Sequence, residues 1–94
     1  MKRYVIERDL PGAGNLTTEQ IRTASQGSVK ALSELGTGIQ WMRSHVTEDR
    51  IYCEYLAENE GLVVEHASRA GLPVTKISEV RRVIDPMAAM QQGS

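Results

Sequence analysis

GIQWMRSHVTEDRIYCEY, running from Gly38 to Tyr55, reads as one antiparallel β-hairpin, and its register decides the fold. With Glu48 and Asp49 at the centre of the turn, Ser44 faces Cys53, Met42 faces Tyr55 and Val46 faces Ile51 on one side of the sheet. The other side then carries Trp41, Arg43 and His45 opposite Leu56, Glu54 and Tyr52. A slip of one residue would exchange the two sides, so every inference about them rests on this pairing. The first side is core-like. The second has the mixed aromatic and charged chemistry of a site or an interface.

Upstream of the hairpin, Arg3 to Arg8 (RYVIER) alternates in a strand-like way and stops at Asp9-Leu10-Pro11-Gly12-Ala13-Gly14, a loop-forming run. A helix is expected from about Thr17, whose hydroxyl can cap the amide of Gln20 while Gln20 reaches back to Thr17. Ile21, Ala24, Ser28, Leu32 and Leu35 then share one helical face, and Gly36 ends it.

Downstream, Glu58-Asn59-Glu60 suits a helix N-terminus, and Val63, Ala67 and Ala70 form the apolar stripe of a second helix closed by Gly71 and Pro73. Thr75 to Ile84 (TKISEVRRVI) reads as a last strand before Asp85-Pro86. The order βαββαβ predicts an α+β, ferredoxin-like sandwich, an antiparallel sheet with two helices on one face. One domain over 1–86 is expected, followed by a flexible tail over 87–94. The face without helices is expected to carry Tyr4, Ile6, Trp41 and Leu56, which predicts a homodimer that covers it.

At 94 residues the chain supports one modest core. A net charge of −1 with 24% charged residues gives no large single-sign field, which argues against a nucleic-acid partner or an anionic membrane surface. No apolar run approaches the roughly 20 residues of a membrane helix. Met1-Lys2-Arg3 leads directly into a strand-like run without a signal-peptide core, so a cytoplasmic location is expected. The single cysteine, Cys53, has no disulfide partner and belongs to no zinc-binding array; it reads as a small buried hydrophobe, with a nucleophile as the competing role.

Three segments, YVIERDLPGAG (4–14), IQWMRSHVTEDRIYCEYLA (39–57) and EHASRAGLPVTKISEVRRVIDP (65–86), resemble a small bacterial domain family typified by a nickel-binding protein of actinobacteria. The likeness runs from about Arg3 to Pro86. It implies a homodimeric ferredoxin-like fold and, in the typifying branch, Ni²⁺ bound at the dimer surface for sequestration rather than catalysis.

Chemistry alone nominates the ligands. Without a thiolate array, nickel takes imidazole and oxygen donors, and only His45 and His66 supply imidazole. His66 has Leu62, Val63, Arg69 and Ala70 at the chelating spacings on its helix, so it reads as a half-buried structural histidine or as one ligand of a site completed from elsewhere. His45 lies with Arg43, Tyr52 and Glu54 on the bare face. Glu48, Asp49 and Glu79 are acidic enough to complete a surface site. Tyr4, Trp41, Arg43, Tyr52 and Glu54 are the candidate lining of a cavity or dimer face, Arg43 and Glu54 reading most simply as a cross-strand ion pair. No dinucleotide loop, phosphate loop or nucleophile elbow occurs, so no organic cofactor is expected and an enzyme is the lesser reading. The sequence thus predicts a divalent-metal binding homodimer. The alternative is a dimeric α/β-barrel enzyme or small-molecule binder whose cavity lies on the open sheet face.

Overall fold

The computed structural model describes residues 1–90. Its elements run β1 (Lys2–Asp9), α1 (Thr18–Leu35), β2 (Ile39–Val46), β3 (Arg50–Ala57), α2 (Glu60–Ala70) and β4 (Lys76–Glu79), with 3-10 turns at Ala13–Asn15 and Pro86–Met90. The sheet order is β2-β3-β1-β4 and every neighbouring pair is antiparallel. This is the ferredoxin-like arrangement that the βαββαβ order predicts.

Local chemistry sets the helix ends. The Thr17 hydroxyl accepts from the Gln20 amide at 3.1 Å, and Gln20 Oε1 accepts from the Thr17 amide at 2.9 Å, a complete capping box. Asn59 Oδ1 accepts from the Leu62 amide at 3.0 Å and starts α2, which Gly71 ends in the left-handed region at φ 69°. The core lies between the helices and one sheet face, where Tyr4, Ile6, Ile39, Cys53, Tyr55 and Ala57 meet Val63 of α2. Ser28 and Ala31 are the buried residues of α1, while Ile21 at the start of its expected stripe stays 42% exposed.

The hairpin pairs as expected from Arg43 onward: Arg43 with Glu54, Ser44 with Cys53, His45 with Tyr52 and Val46 with Ile51. Before Arg43 the register shifts. A bulge between Trp41 and Arg43 sets Trp41 opposite Tyr55 and Gln40 opposite Leu56, so the expected Met42–Tyr55 and Trp41–Leu56 pairs do not form. Residues 41 and 43 would share a face in a regular strand. The extra residue puts Trp41 on the helix side and leaves Arg43 on the open side.

Tyr4 and Ile6 also depart from expectation. They pair with Tyr55 and Cys53, which fixes them on the helix-covered face, where they are 3% and 0% exposed. The open face instead carries the other parity of β1, Arg3, Val5 and Glu7. β4 covers only part of Thr75 to Ile84, because it runs antiparallel to a strand that begins at Lys2; its last link is the Val80 amide to the Arg3 carbonyl at 2.8 Å. Beyond that point β1 offers no further partner. The segment expected as a tail, 87–94, begins within the Pro86–Met90 turn, and its remaining residues, 91–94, lie outside the described part.

The loop after β1 is tied to the hairpin turn. Asp49 O accepts from Leu10 N at 2.9 Å, Asp49 Oδ1 from Gly12 N at 3.0 Å, and Glu48 O from Gly14 N at 2.9 Å. A Cβ on Gly14 would stand 3.1 Å from Glu48 Cα, so the close approach requires glycine.

Candidate functional site

On the open face, register lines the side chains up in rows across all four strands. His45, Tyr52, Glu7 and Lys76 form one row, and Arg43, Glu54, Val5 and Ser78 form the next. His45 is exposed, the one accessible imidazole of the chain. The carboxylates around it are held by arginines. Glu54 Oε1 accepts from Arg3 Nη1 at 2.6 Å and lies 4.0 Å from Arg43 Nε; Glu7 Oε1 is 3.5 Å from Arg50 Nη1. Arg43 and Glu54 are therefore opposite as expected, but the closer partner of Glu54 is Arg3 from the neighbouring strand. Of the other acidic candidates, Asp49 is used by the Gly12 amide, and Glu79 lies between Lys2 and Arg81 at 3.9 and 3.8 Å. Among the described residues no three His, Cys, Asp or Glu side chains come together as a metal-binding group. The described residues of a single protomer do not supply a chelating set.

A second polar cluster lies on the opposite side of the sheet. Arg8 ends the buried row of β1 and is 1% exposed. Its Nε donates to Cys53 Sγ at 3.4 Å, Nη1 to the Pro73 carbonyl at 2.7 Å and Nη2 to the Tyr55 hydroxyl at 3.3 Å. The Tyr55 hydroxyl lies 3.1 Å from His66 Nε2, which also meets Ser28 Oγ at 3.0 Å. Ser44 Oγ, which accepts from Trp41 Nε1 at 3.0 Å, donates to Cys53 Sγ at 2.9 Å.

His66, at 0% exposed, is more deeply buried than the edge of an apolar stripe suggests, and its Nδ1 has no partner among the described residues. Burial lowers its pKa below the ordinary histidine range, and the nearby Arg8 charge adds to that. The ring is therefore neutral at pH 7. A bare acceptor costs less than a bare N–H donor, which assigns the proton to Nε2 and leaves Nδ1 as the unpaired lone pair. Tyr55 is pushed above the ordinary phenol range, chiefly by burial, with the Arg8 charge opposing the shift.

The structure thus separates the sequence candidates. Arg43, His45, Tyr52 and Glu54 share the open face, whereas Tyr4, Trp41 and His66 lie on the helix side. Arg8 and Tyr55 are the members of the buried cluster that the sequence reading did not single out. The available signal was parity, since Arg8 continues the Tyr4-Ile6 alternation, but a charged side chain argues against a core position unless its partners are known.

The sequence pattern of a family described as "Nickel responsive protein SCO4226-like" matches residues 4–80. No curated protein matches the chain. Among solved structures, the crystal structure of SCO4226 from Streptomyces coelicolor A3(2) superposes with a TM-score of 0.73 at 19% identity, covering 87% of this chain and 99% of that one. At that identity the structural likeness carries the fold alone, but the family pattern spans most of the sequence. The chain belongs to the SCO4226-like family of nickel responsive proteins.

Proposed function

We propose that this protein is a cytoplasmic, nickel-sequestering homodimer whose metal site is completed by two copies meeting at the open sheet face. The observation that carries the reading is His45: an exposed imidazole at a fixed register position of that face, in a chain whose family is nickel responsive. Imidazole is a nickel donor of choice where thiolates are absent, and the described residues of one protomer bring no three such ligands together. Glu7 and Glu54 are the oxygen donors nearest in register, each released only if its arginine yields. His66 is a poor donor by comparison, because its ring is fully buried against Tyr55 and Ser28 of α1.

Calorimetric titration with Ni²⁺ is the test. Saturable binding by the wild type, abolished in His45→Ala and retained in His66→Gln, is the expected result. Wild-type binding no stronger than that of the His45→Ala, His66→Ala double variant would sink the reading.

A further inference from the structure

A cavity of about 90 Å³ opens between α1 and the sheet, on the side away from His45. Water needs about 10–15 Å³ of such space per molecule, so the cavity is too large for a single solvent site. Two features of the chain create it. The bulge before Arg43 turns Trp41 to the helix side, a device by which strands re-aim a side chain beside a site. On the α1 side the cavity meets Ala24, Ser25 and Ser28, whose side chains are too short to fill it.

The wall is almost wholly apolar. Leu16, Trp41, Ile51 and Leu72 are each only half-buried and Ile21 is exposed, so the apolar surface continues to solvent at the opening. Apolar residues gathered around one concavity mark a ligand site rather than scattered surface exposure. Arg8, Ser28 and Ser44, which border the cavity, have their polar atoms committed to neighbours. Each side-chain nitrogen of Arg8 is bonded, to Cys53, Pro73 or Tyr55; Ser28 is held by His66, and Ser44 by Trp41 and Cys53. An ion entering here would give up its hydration without an equal return.

We propose that this cavity binds a small uncharged molecule, with a hydrocarbon body of about four to six carbon atoms held against Ile21, Trp41 and Ile51. An apolar cavity of about 150 Å³ admits benzene, and the smaller volume here is offset by an opening through which part of the guest can project. The sheet separates this site from the open face, so the inference does not rest on the nickel reading.

The test uses the nickel-free protein and follows the indole N–H signal of Trp41, the chain's one tryptophan, by NMR. Benzene and cyclopentanol are the probes, each beside its charged match, benzoate and cyclopentanecarboxylate. At least one neutral probe is expected to shift that signal saturably, with a Kd of about a millimolar, the range open to so few heavy atoms. It is expected to bind about tenfold or more tightly than its carboxylate, which must shed hydration to enter. Ala24→Leu and Ser25→Leu each enlarge a side chain on the cavity wall at a helix position that is exposed or half-buried, so the fold should survive both. At least one of them is expected to weaken binding about tenfold or more. Absence of a saturable shift with either neutral probe into the tens of millimolar overturns the proposal. So does equal affinity for the neutral probe and its carboxylate, or binding unchanged in both leucine variants.

Discussion

Tyr55 is the side chain through which the buried polar groups meet, since its hydroxyl touches both Arg8 Nη2 and His66 Nε2. Tyr55→Phe keeps the ring and removes only that junction. It is expected to destabilise the fold by about 1–3 kcal/mol in urea denaturation, because two buried groups lose a partner at once. Ser28→Ala acts on the same His66 nitrogen, so the two changes should combine non-additively. His66 gives a separate prediction in pH. Its folded pKa is depressed, so the unfolded chain binds the proton more readily. Stability is then complete above the ordinary histidine pKa of about 6.5 and falls as pH drops from there toward the folded pKa. His66→Gln keeps a hydrogen-bonding group without the titration, and its urea midpoint should fall less than that of the wild type between about pH 7 and pH 5. Equal acid sensitivity in both proteins would show that His66 is not the titrating group. Spacing had put Cys53, Ser44 and Tyr55 on the core-like side of the hairpin and Ser28 on the inner face of α1, but not Arg8 or the full burial of His66, residue types that only their partners reconcile with burial.

The hairpin shows where pattern reading stops. From Arg43 to Val46 the alternation of side chains and the position of the turn were enough to give the register. The bulge was not, because GIQWMRS contains neither a glycine within the strand nor any break in polarity that marks an extra residue, and only packing against α1 decides which way Trp41 turns. β1 failed for a related reason: Tyr4-Ile6-Arg8 and Arg3-Val5-Glu7 are both mixed sets, so parity alone left the buried one ambiguous. Deleting Met42 tests the bulge directly. Removing the extra residue makes the strand regular while Trp41 stays opposite Tyr55 and Ile39 opposite Ala57, so both keep the helix side. A loss of about 1 kcal/mol, that of an average single change, with unchanged Trp41 emission, is the expected outcome. A loss of several kcal/mol with a shifted Trp41 emission would mean that the wild-type strand is regular, since the deletion would then exchange the faces of Ile39 and Trp41. The capping box, by contrast, was readable residue by residue, and Thr17→Ala should cost about 1 kcal/mol while Thr17→Ser is nearly neutral.

The chain exposes more surface than a compact domain of its length. Its accessible surface of 6669 Å² exceeds the roughly 5,400 Å² expected for a monomer of this mass, and its radius of gyration of 14.9 Å exceeds the roughly 12 Å of a compact domain of this length. Apolar exposure is concentrated past β4, where Val83 is 68% and Ile84 77% exposed, on a segment whose pairing ends when β1 runs out. Leu56 and Val5 add half-buried apolar surface on the open face beside the His45 row. Two surfaces are thus open to the proposed second copy, and they make different predictions. If the sheets face each other, Leu56→Lys converts a dimer to a monomer in light scattering and weakens nickel binding, because it parts the two copies of His45. If the C-terminal segments instead hold the copies together, the Val83→Ser, Ile84→Ser variant becomes monomeric while Leu56→Lys does not. The proposed metal site requires the first result, since only the open face brings His45 to a second copy. A wild type that is already monomeric at micromolar concentration with nickel present would remove the homodimer, and with it the shared site.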